Sequence, residues 1–203
     1  MNNGDYNQPC VATRTVFIGT ELEQPVLNPD AFRKAMRSLA AGVNVICTQH
    51  AGERTGLTAT AVCSVSADPP SLLVCVNRNG DAHDKISKSG ILSVNVLTSE
   101  QEHLAKRFAG ADGAKGEAKF TTARWVTLKT GAPILKDALA AFDCRVIERV
   151  NAGSHTVFIC QVVCAPSTVH RYALGFINGS FFKIDTKHLP PPVHWDEAPE
   201  EAW

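Results

Sequence analysis

The sequence predicts a mainly β chain with short helices, wound as a closed or partly closed barrel. Three observations predict it. Six or more stretches rich in Val, Ile, Thr and Cys have strand length, tight turn signals separate several of them, and three short helices lie between them. With 203 residues, 44% apolar and 20% charged, the chain has the material for one ordinary globular domain. That composition excludes a collagen-like, disordered or coiled-coil chain.

Taken in order, residues 1–27 form a polar N-terminal arm around one short strand at 15–18. Asn28, Pro29 and Asp30 supply an N-cap, a first-turn proline and an early acid, and Phe32, Met36 and Leu39 recur at helical spacing, predicting a helix over 29–41. Residues 43–48 read as a strand, 50–53 as a turn and 56–66 as a second, single strand, together a hairpin. Asp68-Pro69-Pro70 breaks the chain before a buried strand at 71–76. A turn at 77–80 leads to a short helix at 81–89 with Ile86 inward, then a strand at 91–97. Ser99 and Glu102 stand in capping-box spacing before a helix at 100–108. The stretch 110–116, with three glycines and two charges, predicts a mobile loop. Strands at 142–150 and 156–165 flank a turn at 151–154, and 179–184 closes the series. The domain therefore spans 28–185, and 186–203 is a Pro-rich acidic tail whose Trp195 and Trp203 would gain energy only by packing on something, such as a second subunit.

Twenty basic and twenty acidic residues cancel, which argues against nucleic acid or an anionic membrane surface as partner. No apolar run approaches the roughly 20 residues of a membrane-spanning helix, and residues 1–8 lack a secretory pattern, so a cytoplasmic address is expected. Seven cysteines, at 10, 47, 63, 75, 144, 160 and 164, form no disulfide framework and no Cys-x-x-Cys metal pair, and read as reduced, buried, small apolar residues.

Chemistry is most dense in two stretches. Over 58–66, Thr58, Thr60, Ser64 and Ser66 alternate with Ala59, Ala61, Cys63 and Val65, so a polar strand face with small neighbours could line a ligand groove or simply face water. Asn77, Arg78, Asn79, Gly80 and Asp81 form a turn carrying an arginine and two amides, suited to a phosphate or to an ordinary surface turn. No Walker loop, dinucleotide fingerprint or Gly-x-Ser-x-Gly elbow occurs. His155, at the mouth of a hairpin, can point at a ligand from the barrel rim.

In order along the chain, residues 32–36 with 42–46, 56–65, 69–78, 93–97, 142–145 and 153–156 resemble the flavin reductase family, which has the FMN-binding split-barrel fold of Greek-key type. The likeness is nearest to the reductase components of two-component aromatic monooxygenases, of the 4-hydroxyphenylacetate and chlorophenol type, and to a pyrimidine-degradation reductase. The resemblance implies a homodimer that passes hydride from NADH, or NADPH, to FMN or FAD and supplies reduced flavin to a separate oxygenase in aromatic degradation. It implies that the flavin ring lies against Thr58, Ala59, Thr60 and Ala61, with Ser64, Val65 and Ser66 nearby. It further implies that Asn77, Arg78, Asn79 and Gly80 meet the ribityl or phosphate end, that Phe108 flanks the pocket, and that His155 is the catalytic-site contact to the nicotinamide nucleotide. No metal is implied. Asp81 departs from many relatives, and an acid beside a phosphate is unfavourable unless it points away. Two other activities fit the same barrel: a flavin-binding electron carrier without nicotinamide turnover, and a flavin oxidase.

Overall fold

β-Branched runs joined by tight turns build most of the molecule as hairpins. A computed structural model describes residues 13–15, 27–168 and 172–185. Its strands are β1 Thr13–Thr15, β2 Ala41–Gly42, β3 Asn44–His50, β4 Glu53–Ala59, β5 Val62–Ala67, β6 Pro70–Asn77, β7 Ile91–Val96, β8 Trp125–Thr127, β9 Pro133–Leu135, β10 Ala140–Ala152, β11 His155–Cys164, β12 Ala173–Ile177 and β13 Ser180–Ile184. Helices α1 Pro29–Met36, α2 Asp81–Ser89 and α3 Glu102–Phe108 lie between them. The β3–β4 connection is a two-residue turn in which Ala51 and Gly52 both have positive φ, 52° and 79°, the backbone that suits the twist of a hairpin.

The main sheet runs β4-β3-β7-β10-β11-β6-β5, with β1 added in parallel to β10. A second sheet runs β13-β12-β2, and β8 pairs with β9. The main sheet does not close. Its hydrogen-bonded path begins at β4 and ends at β5, two strands consecutive in sequence yet at opposite ends of the sheet. The single strand expected over 56–66 is therefore two, divided at Thr60 and Ala61. β4 takes its partner from β3 and β5 takes its partner from β6, so the chain must turn between them, and it does so with Val62 N–H donating to Thr60 O at 3.0 Å.

Two apolar clusters fill the interior. One gathers Val43, Val45, Leu97, Leu104, Phe108 and Phe120; the other gathers Ile46, Val74, Ile86, Leu92, Val94 and Phe158. Each fully buried side chain of this size stabilises the fold by about 1.5–3 kcal/mol. Ile86 points inward from α2 as the sequence predicts.

Several expectations shift. The first helix ends at Met36, with Asn28 Oδ1 accepting from Asp30 N–H at 2.8 Å as its cap. Its apolar stripe has no cover among the described residues: Phe32, Met36 and Leu39 are 53%, 46% and 63% exposed. Helical spacing identifies an apolar face but not what lies against it. The turn into α3 is closed by Thr98 N–H donating to Gln101 Oε1 at 2.9 Å, one residue before the predicted Ser99 and Glu102, and Glu102 instead pairs with Lys106 at 2.7 Å. β8, β9 and β12 were not expected; β8 and β9 are only three residues long and β9 starts on a proline. Cys47, Cys144 and Cys160 are buried as expected, and burial pushes the Cys160 thiol up to about 12, but Cys63 is exposed. The expected strand residues 16–18, Cys10 and the tail with Trp195 and Trp203 lie outside the described residues.

Candidate functional site

The open seam of the sheet organises the site. At one end of it, Thr60 and Ala61 sit outside both ladders, exposed, in the bend between β4 and β5. Ala61 O accepts from Cys75 N–H at 3.1 Å, and Thr60 O from Val62 N–H. Their own N–H groups find no acceptor among the described residues. A groove of about 550 Å³ opens there, lined by Leu39, Ala41, Asn44, Thr60, Ala61, Cys63 and Cys75 among others, with no charged side chain in its wall. Asn44 is held beneath it by its side-chain amide, which donates to Ala59 O at 3.3 Å. Two free N–H donors on small residues beside an apolar wall suit the polar edge of a flat ring.

Further along, β4, β6 and the first turn of α2 enclose a cavity of about 510 Å³ with the segment 115–119 on its far side. Thr55, Gly56, Asn77, Asn79, Gly80, Asp81, Lys115 and Lys119 are among its lining residues. Gly56 is required: a Cβ there would stand 2.6 Å from Ile46 O and 2.9 Å from the Phe108 ring. Lys119 Nζ donates to Gly56 O at 3.0 Å and to Phe108 O at 3.1 Å, so the ammonium is fixed at the cavity wall. Partial burial lowers the Lys119 pKa from its ordinary value, and the charge of Asp81 opposes that shift.

Asp81 does not stand bare beside a ligand. A hydrogen bond from Thr55 holds its carboxyl below the usual range, and Lys85, 3.4 Å away, helps. Lys85 is itself shared with Glu53 at 3.0 Å. The segment 116–120 is anchored on β4 by Arg54, whose Nε donates to Glu117 at 3.0 Å and whose guanidinium lies 4.5 Å over the Phe120 ring. Arg107 ties it from behind, donating to Lys119 O at 3.3 Å and Thr121 Oγ1 at 3.2 Å.

The residues expected to form one site are thus divided. Thr60 and Ala61 line the groove, Asn77, Asn79 and Gly80 line the charged cavity, and Arg78 lies instead with Asn79 in a third recess of about 400 Å³ beside the β10–β11 turn. Thr58 is not at the groove: its hydroxyl donates to Ala105 O at 2.6 Å, tying β4 to α3, and Ala59 is buried. Ser64, Val65 and Ser66 are exposed on β5 but line neither groove nor cavity, and a register shift between Ser64 and Ser66 interrupts the regular alternation of the strand. Phe108 does not flank the cavity; it is buried, 5.2 Å from Phe120 and 5.5 Å from Trp125, and stands behind Gly56 as the back wall. His155 is exposed at the start of β11, opposite Asn77, with Nδ1 2.9 Å from Ser154 Oγ. Sequence reasoning missed Lys115 and Lys119, which sit in and after a glycine-rich stretch with no periodicity to aim them. It also missed Leu39 and Asn44 as groove residues, since both read as parts of packed elements. Among the described residues no group of His, Cys, Asp and Glu is arranged to hold a metal, and no helix is long and apolar enough to cross a membrane.

A flavin reductase like domain matches residues 36–185. The FMN reductase (NADH) RutF of Bradyrhizobium diazoefficiens is 45% identical over 135 residues, covering 66% of this chain and 74% of that protein. Among solved structures, the NADH:FAD oxidoreductase SgcE6 of Streptomyces globisporus superposes with a TM-score of 0.73 at 30% identity, covering 83% of this chain and 99% of that one. BorF, the flavin reductase component of a bacterial two-component tryptophan halogenase, superposes with a TM-score of 0.72 at 30% identity, covering 77% and 98%.

Proposed function

The chain belongs to the flavin reductase-like family, and on that footing we propose that it is an NADH-dependent flavin reductase whose reduced flavin is released to a separate flavin-dependent oxygenase. The observation that carries this reading is the pair of unpaired N–H groups at Thr60 and Ala61 on an uncharged groove, with a lysine-lined cavity further along the same seam. The first suits a flavin ring and the second its phosphate, and a ligand with one flat polar-edged ring and one anionic end needs both.

A flavin held between the Thr60 and Ala61 amides and Lys119 would supply the redox chemistry, as acceptor of a hydride from the reduced nicotinamide. The chain's share of the work is placement. The Thr60 and Ala61 amides donate to the ring edge, where donors aimed at accumulating negative charge favour the reduced state. Lys119 holds its ammonium by two carbonyls at the anionic end, and Asn77 and Gly80 close the opposite wall. His155, on the rim across from Asn77, is assigned to the nicotinamide nucleotide. No side chain has to move a proton to the reacting atoms. An open groove also lets the product leave, which a reductase serving another enzyme requires.

We assign the chain to a homodimer. The exposed stripe of Leu27, Phe32, Met36 and Leu39 is apolar surface next to the groove, and Leu39 is part of the groove wall. A second copy over this stripe would remove it from water and complete the groove.

The decisive assay follows absorbance at 340 nm. Catalytic loss of NADH on adding free FMN or FAD is expected. Flavin binding without turnover of NADH would mean an electron carrier, and flavin that stays bound while an organic substrate is consumed would mean an oxidase.

A further inference from the structure

Among the described residues, three buried side chains carry a carboxamide: Asn44, Asn95 and Gln101. Two of them are fully used. Asn95 donates to Val45 O and Ser93 Oγ, both at 3.0 Å, and its Oδ1 accepts from Leu135 N–H at 2.7 Å. Gln101 donates to Asp137 O at 2.8 Å and accepts from Thr98 N–H at 2.9 Å. Asn44, only 7% exposed, turns its amide nitrogen to Ala59 O at 3.3 Å and Gly42 O at 3.4 Å, while no described group donates to its Oδ1. A buried acceptor without a donor lowers stability, so this one marks a place for a donor from outside the chain.

The amide has one possible orientation. Turned over, its oxygen would face two carbonyl oxygens, so those carbonyls fix which end is nitrogen. The backbone is fixed as well, because Asn44 begins β3 between Ala59 of β4 and Val96 of β7. Asn44 lines the groove beside Thr60 and Ala61, and it is the one buried polar side chain in that wall. With the nitrogen engaged, Oδ1 is the polar atom it has left for the groove.

We propose that Asn44 Oδ1 accepts the imide N–H of the flavin ring, so that Asn44 is a specificity-determining residue for flavins with a free N3–H. The inference rests on the reductase reading. The pyrimidine edge of an isoalloxazine presents a carbonyl oxygen, the N3–H and a second carbonyl oxygen. Thr60 and Ala61 supply two N–H donors and Asn44 one acceptor, a match in number and in kind. N3 carries its proton in the oxidised and the reduced ring alike, and it lies on the far side of the pyrimidine ring from N5. The contact therefore holds the ring without occupying the atom that reacts. Discrimination follows from the cost of a mismatch, since a ligand lacking the N–H leaves the buried oxygen unpaired. The same side chain holds Ala59 O, the carbonyl just before the bend, and so steadies the aim of the Thr60 and Ala61 amides.

The test is equilibrium binding of oxidised riboflavin and 3-methylriboflavin, followed by quenching of flavin fluorescence, to the native chain, Asn44→Ala and Asn44→Asp. The two flavins differ only at N3, and neither has a phosphate for Lys119. The native chain is expected to bind riboflavin about 10-fold more tightly, the scale of one hydrogen bond kept against one acceptor left unpaired. Asn44→Ala should lose most of that preference, and Asn44→Asp, which keeps an acceptor oxygen, should retain it. An undiminished preference in Asn44→Ala would overturn the proposal, because Asn44 would then be only a brace for the bend. No preference in the native chain would overturn it too and leave Oδ1 to water. Should Asn44→Ala fail to fold, Asn44→Asp decides: the preference kept upholds the contact, and the preference lost overturns it. Binding needs no NADH. A chain that shows the preference but never consumes NADH upholds the contact while the reductase reading fails, and NADH consumption with equal affinity for both flavins has the reverse meaning.

Discussion

The groove at Thr60 and Ala61 and the cavity beside Lys119 belong to one seam but are built from opposite materials. The groove is backbone and small apolar side chains, with no charge in its wall. The cavity is lined by two lysines and an acid, of which Lys119 is held by two carbonyls and Asp81 by Thr55 and Lys85. A ring is recognised through close approach and two fixed amides, so any side chain there is an obstacle. A phosphate is recognised through charge, so the side chains there are the recognition. With the groove proposed for the ring and the cavity for the phosphate, the two tasks lie apart along the seam, and substitutions at each end should therefore fail differently.

The largest effect is expected at the groove. Ala61→Phe fills it and should lower kcat/KM for both FMN and riboflavin about 100-fold or more, the scale of misplacing a reacting ring, with little change in melting temperature because Ala61 is exposed. A comparable fall in thermal stability would show instead that the bend is a packing element.

An intermediate effect is expected at the cavity. Lys119→Gln keeps N–H donors for Gly56 O and Phe108 O but removes the charge. It should raise the KM for FMN roughly 10-fold, about the value of a charge-assisted hydrogen bond, and leave the KM for riboflavin, which has no phosphate, nearly unchanged. Equal losses for the two flavins would make Lys119 a strut for the 116–120 segment and erase the contrast between the two ends.

The smallest effect concerns Asp81. Its folded pKa is depressed, chiefly by Thr55, so the stabilisation it gives is present above the unfolded carboxylate value near 3.9 and is lost as pH falls through the lower folded value. Thr55→Val should move the acid-unfolding midpoint upward by a fraction of a pH unit in a circular-dichroism titration. An unmoved midpoint would mean that Lys85 alone keeps the acid ionised.

Much of this arrangement was legible in the sequence, and the rest was illegible for definite reasons. Hairpins announced themselves through turn residues, and the order of motifs along 29–184 carried the family. The break at Thr60 and Ala61 was not visible, because alternation persists through a bend and only the identity of each half's partner strand reveals it. Phe108 was misread for the same reason: its burial depends on Gly56, a residue 52 positions away, lacking a side chain. Lys119 reaches its place through two carbonyl oxygens, and no sequence pattern encodes where a carbonyl points. The Asn77–Gly80 turn was read as one recognition element, but alternate residues of a turn face different ways, and Arg78 opens onto a different recess.

A sheet that stays open has an edge, and an edge invites addition of another chain's strand. β5 ends the hydrogen-bonded path, carrying the exposed Val65 beside the groove. Three features of that strand discourage polymerisation: it is six residues long, its register breaks between Ser64 and Ser66, and Asp68, Pro69 and Pro70 follow it at once. The register shift between Ser64 and Ser66 therefore has a use of its own. It allows the protein to keep a ligand groove open to solvent at the rim of its sheet without turning that rim into a template for aggregation.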